Sequence, residues 1–224
     1  MAVDKKNSPT WYKVVVWIVL VAFVLGFVVV GALEAFKMFT NKDTSAPITT
    51  SSQEKTAAAQ IAAINTQFQA QVATKKAAQK AKPNDFTANS ELGLAYSLWA
   101  QTLQATGDTQ ALGEATARFT DAVPFLKIAY GIKPTDADTA NGYVLALAYS
   151  GNVTQALTVA REVTTKIPAD ANAWFNLGSL LAGSNEANAK KDAIAAFRTA
   201  KELDSSGTLK AQAQQQIDTL SSAP

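Results

Sequence analysis

Cysteine and histidine are both absent from this chain of 224 residues. Without them there is no thiolate nucleophile, no Ser-His-Asp or Cys-His pair, no zinc site of the usual nitrogen and sulfur ligands, and no His-ligated or CxxCH-attached haem. Disulfide stapling is excluded as well, so a folded domain must rest on an ordinary hydrophobic core, and a thiol-free chain suits an oxidising compartment. Enzymes built on carboxylates, Lys or Tyr remain open. Charge is sparse at 17% and nearly balanced, with 20 Lys plus Arg against 18 Asp plus Glu. Residues 86–136 carry three basic side chains against five acidic ones, which argues against nucleic-acid binding. There is no Gly-rich phosphate loop and no Asp-rich calcium loop. Asn152-Val153-Thr154 matches a glycosylation sequon, a short pattern with little weight of its own.

The apolar fraction of 48% is unevenly spread, because residues 14–33, from Val14 to Leu33, contain no charged side chain. Twenty helical residues at roughly 1.5 Å each cover roughly 30 Å, the thickness of a bilayer core. Trp11, Tyr12 and Trp17 at one end and Phe36 and Phe39 at the other suit the interfaces. The run predicts a single membrane span within residues 14–38 after a short tail, residues 1–13. Val30-Gly31-Ala32 also offers a small-residue cleavage site, but the run exceeds the roughly 7 to 15 residues of a signal peptide's apolar region, which favours an uncleaved anchor. Lys5, Lys6 and Lys13 before the span, against Lys37 and Lys42 after it, predict the N-terminus inside and the remainder outside the cytoplasm. Ala22 and Gly26 have the spacing that seats a partner helix.

Residues 39–52 are rich in Ser and Thr and predict a flexible stalk. Residues 53–85 follow as an amphipathic segment of Ala, Gln and Lys, helical to Lys82, with Ile61, Ile64, Phe68 and Val72 as a narrow apolar stripe and Ser52 as its cap. Lys75, Lys76, Lys80 and Lys82 suit the negative end of that helix's dipole; anionic lipid headgroups are the other reading.

From residue 86 the sequence repeats. Ala140, Tyr143 and Leu147 are followed by Gly151, then Ala156, Ala160, Val163 and Pro168; the next unit places Trp174, Leu177, Gly178 and Leu181 on one helix and Ala193, Phe197 and Ala200 on another. The pattern resembles the tetratricopeptide repeat, a helix pair that recurs every 34 residues with small and large residues interlocking. Residues 137–170 and 171–205 hold this register. Residues 86–136 fit through Leu92, Gly93, Tyr96, Ala122, Leu126, Ala129 and Pro134, with longer helices around Gly107-Asp108 and with Pro124 as a kink or a helix start. Residues 183–189 lengthen the last turn. Residues 206–224, with Leu209, Ala213, Ile217 and Leu220 on one face, predict a capping helix. The expected fold is all-α: one transmembrane helix followed by an α-solenoid.

The resemblance implies a protein or peptide partner in the groove lined by the first helix of each pair, and no cofactor or metal. The family's groove offsets fall on Ser90, Leu94, Asn141, Leu145, Asn172, Phe175, Asn176 and Ser179. Asn176 stands where many such repeats hold a ligand backbone. Helix capping and inter-helix hydrogen bonds are an equal reading for the Asn residues. Gripping a C-terminal carboxylate needs Lys or Arg where this chain has Ser90, Leu94 and Gly142, so that activity is not implied. Asp136, Asp138 and Asp170 stand at helix starts, where carboxylates cap, and nothing beside them would raise one pKa for acid–base catalysis. The expectation is a non-enzymatic, membrane-anchored scaffold or chaperone-like accessory outside the cytoplasm, as in bacterial envelopes. A fixed subunit of a larger membrane complex, of which cytochrome c maturation offers examples, is the alternative.

Overall fold

The computed structural model describes residues 50–222 as eight helices: α1 (Thr50–Ala81), α2 (Phe86–Gln104), α3 (Thr109–Ile132), α4 (Ala137–Tyr149), α5 (Val153–Lys166), α6 (Ala171–Ala182), α7 (Ala189–Leu203) and α8 (Thr208–Ser222). The tail, the apolar run of residues 14–33 and most of the stalk lie outside the described residues. Among the described residues no helix is long and apolar enough to cross a membrane.

The first helix of each pair starts by one rule. Asp85, Asp136 and Asp170 precede α2, α4 and α6, and each carboxylate accepts a backbone N–H from the first turn. Asp204 repeats the motif before α8 by accepting from the backbone N–H groups of Leu209 and Lys210 at 2.7 and 3.0 Å. It also takes the Ser206 hydroxyl, so α8 opens at Thr208, two residues after its expected start. The carboxylate readings at Asp136 and Asp170 are therefore caps. Gly107 and Gly151 turn the chain within the first two pairs at φ of +69° and +88°, backbone that only glycine adopts freely.

Packing interlocks small with large. Gly178 lies under Phe197, and a Cβ added there would come within 2.9 Å of the ring. Gly93 meets Leu126 in the same way, at 2.5 Å. Leu92, Leu126, Leu147, Val163 and Phe197 are fully buried along this seam. The first pair is extended, as expected, and α3 continues through Pro124 without a new start. Pro124 is exposed, and buried Phe119, Ala122 and Leu126 hold the helix on both sides of it. The longer turn between α6 and α7 is pinned by an ion pair between Arg161 and Glu186.

Both boundaries of α1 also differ from expectation. The helix expected at residue 53 begins at Thr50, so the last residues of the stalk belong to it and Ser52 lies inside the first turn instead of capping it. Ser and Thr have middling helix propensity, and the Ala-rich run that follows draws them in. At the other end α1 stops at Ala81, before Pro83.

The stripe on α1 does more than line a free helix. Ile61, Phe68 and Val72 are buried against the first pair, with Ile64 packed beside them. Phe68 stacks on Trp99 at 6.1 Å, Asn65 bonds both Trp99 and Glu114, and Lys75 pairs with Glu91 at 2.9 Å. Thus α1 is docked on the first pair through side chains. At the far end Ala213 and Ile217 of α8 cover the last pair, as a cap should.

Candidate partner-binding groove

Helices α2, α4, α6 and α8 approach one another closely along their backbones, whereas α3, α5 and α7 make no comparable approach to each other. A stack whose first helices lie closer than its second helices curves toward the first. The inner wall is therefore the row α2, α4, α6, α8.

Small residues and hydroxyls set the joints of that row. Leu94 projects over Gly142, where a Cβ would come within 2.7 Å of its Cδ2. The Thr139 hydroxyl donates to Asp136 Oδ1 at 2.8 Å, and its oxygen lies 2.8 Å from Ser90 Oγ. With the Thr139 proton committed to Asp136, Ser90 is the donor to Thr139. Burial pushes the Asp136 carboxyl up, but the two Thr139 bonds and the Lys133 ammonium outweigh it, and its pKa lies below the ordinary value. Between α4 and α6, Asn176 Nδ2 donates to Asn141 Oδ1 at 3.0 Å, and Asn141 Nδ2 donates to Asp170 Oδ1 at 3.0 Å. The cap of α6 is thus wired to the middle of the row.

The eight residues selected by the repeat register fall into distinct places. Ser90 is buried in the α2–α4 joint, and Leu94 is half-buried over it. Asn141 and Asn176 are half-buried and bonded to each other. Leu145 and Phe175 are half-buried, Phe175 lying edge-on to Phe197 at 5.3 Å. Ser179 is exposed, with its hydroxyl turned back to the Phe175 carbonyl at 2.9 Å. Asn172 stands apart at the edge, beside a shallow cavity of about 330 Å³ between the α5–α6 and α7–α8 turns. The inter-helix reading of the Asn pair is thus present, but it does not use the whole amide: Asn176 Oδ1 accepts no hydrogen bond from the described residues.

Leu98, 50% exposed, belongs to this surface and is not selected by the register. It stands one helical turn beyond Leu94, and that i,i+4 step on an extended helix was the available signal. Tyr149 stands likewise one turn beyond Leu145, exposed but stacked on Phe119 at 4.9 Å.

No protein-family model and no curated protein matches the sequence. Solved structures do. A crystal structure of a MamA protein superposes with a TM-score of 0.51 at 18% identity, over 70% of this chain and 73% of that one. TTC0263, a thermophilic TPR protein of Thermus thermophilus, superposes with a TM-score of 0.50 at 16% identity, over 65% of this chain and 71% of that one. At such identities the likeness concerns the fold alone: the described region is an all-α helical-repeat solenoid of the tetratricopeptide type.

Proposed function

We propose that this chain is a non-enzymatic scaffold that holds a segment of another protein against α2, α4 and α6, anchored to a membrane through residues 14–33 with the repeats outside the cytoplasm. The observation that carries the groove is one row: half-exposed Leu94 and Leu98 on α2, Leu145 on α4 and Phe175 on α6 share it with an Asn176 amide whose oxygen accepts no hydrogen bond from the described residues. Apolar area with a few placed hydrogen-bonding groups is what recognition of a peptide backbone requires. The anchor rests on the length and purity of the apolar run, and the orientation on its flanking lysines.

The test replaces Leu98 and Asn176 together by alanine in the full-length chain. Recovery of the native partner, identified by crosslinking in membranes and mass spectrometry, should fall about tenfold or more, the effect of losing two central contacts. Helical content should not change, and stability should drop by no more than about 1–2 kcal/mol, since Leu98 is half-exposed and Asn141 keeps its bond to Asp170. Unchanged recovery from a folded variant would remove the groove from the account. For the anchor, a reporter active only outside the cytoplasm, fused after Pro224, should be active; an expressed but silent fusion reverses the orientation.

A further inference from the structure

The two helix sets divide the chain's charge unequally. Together α2, α4 and α6, the part of the inner row that carries the groove residues, hold two charged residues, Glu91 and Asp138, and no Lys or Arg, while α8 at the end of the row adds Lys210 and Asp218. On α3, α5 and α7 there are thirteen charged residues of both signs. Of the acids on α2, α4 and α6, Glu91 is already neutralised by Lys75 of α1 at 2.9 Å. Asp138 is exposed in the first turn of α4 and forms no ion pair among the described residues. From α2 to α6 the inner wall thus presents Leu94, Leu98, Leu145 and Phe175, amide groups, and one uncompensated negative charge.

Such a wall discriminates by what it lacks. A carboxylate laid across α2, α4 and α6, from Asp, Glu or a free C-terminus, gives up water and finds no cation on these helices in exchange, and Asp138 repels it. An uncharged apolar segment meets no such penalty. A Lys or Arg at the end of the segment near Asp138 gains an attraction.

Resting on the groove reading above, we propose that the partner segment is an extended, apolar stretch internal to its protein, free of carboxylates, and tolerant of or favoured by one basic residue. The charge complementarity of the row selects this occupant over an acidic tail or a C-terminal carboxylate. Its length follows from the row: neighbouring packed helices stand roughly 8–10 Å apart, so crossing from α2 to α6 takes about five or six extended residues.

The experiment measures fluorescence anisotropy with the full-length chain in lipid nanodiscs. Three labelled decapeptides share one Leu-, Ala- and Thr-rich sequence: the first is uncharged with a C-terminal amide, the second carries one Lys, and the third carries one Glu and a free carboxylate. The expected order is the Lys peptide equal to or tighter than the neutral one, with the acidic peptide at least tenfold weaker. In Leu98→Lys, and in Ser179→Lys as a second variant at an exposed position, the acidic peptide should gain at least fivefold while the Lys peptide weakens. If the acidic peptide binds the unsubstituted chain as tightly as the neutral one, the assignment of ligand chemistry is overturned and the groove reading stands. If none binds up to about 1 mM, the weak end of specific recognition, a photo-crosslinker at position 98 separates the remaining outcomes. A crosslink within the chain or to a second copy makes the occupant internal and overturns the partner assignment. No crosslink of either kind overturns the groove reading and this inference with it.

Discussion

Trp99→Ala is expected to lower stability by about 3–5 kcal/mol and to release α1 from the repeats. The ring is buried and lies nearly parallel to the rings of Phe68 and Tyr96, with centroids 6.1 and 6.5 Å away. The Arg118 guanidinium lies over the ring, 4.5 Å from its centroid, in a cation–π contact. The indole N–H donates to Asn65 Oδ1 at 2.9 Å, and Asn65 Nδ2 donates to Glu114 Oε2 at 2.7 Å. Alanine removes the ring contacts and strands a half-buried amide oxygen in one step. Because α1 is held by these side chains and not by close backbone packing, the loss is local first: trypsin should cut at Lys75, Lys76 and Lys80 well below the melting temperature of the repeats. Intact α1 in the folded variant under limited proteolysis would show that Ile61, Phe68 and Val72 alone hold it.

Phe197→Ala should cost a similar amount, about 3–5 kcal/mol, but across the last pair as a unit. Phe197 is fully buried, seated on Gly178 and edge-on to Phe175 at 5.3 Å. Backbones brought together over a glycine cannot move closer to fill the void, so the cavity persists. Gly178→Ala fails for the opposite reason, because its Cβ meets the Phe197 ring at 2.9 to 3.1 Å, and overpacking of this kind costs about 1–3 kcal/mol. Combined, the two changes should cost clearly less than their sum, since each relieves the other's fault. Denaturant unfolding of the four proteins measures the coupling, and strict additivity would mean that the ring does not sit on the glycine.

The repeat itself could be read from the sequence because its physics is local and periodic. Gly178 with Phe197, Gly93 with Leu126, and the Asp caps at residues 85, 136 and 170 are spaced by the helix pair and recur with it. The docking of α1 had a legible half, the apolar stripe at Ile61, Phe68 and Val72. Its polar half was not legible, since the Asn65 bonds to Trp99 and Glu114 join residues far apart in sequence and outside the repeat register. The groove shows the same division. Family offsets all fall on α2, α4 and α6, yet they do not distinguish Ser90, whose hydroxyl is spent in a buried joint, from Leu145 at the half-exposed surface. That distinction depends on how far α2 and α4 are rotated against each other, which only the packed structure specifies. The starting absences also gain content: this chain lacks His and Cys throughout, and α2, α4 and α6 lack Lys and Arg as well. A surface so short of charge is suited to holding an apolar chain.

On the proposed function the inner row, and not the outer one, holds the partner. Photo-crosslinking side chains placed singly at positions 98, 145 and 179 on the inner row and at 116, 158 and 199 on α3, α5 and α7 would test it in native membranes. The inner positions should all capture the same partner protein and the outer positions should not. Capture from the outer positions alone would contradict the account.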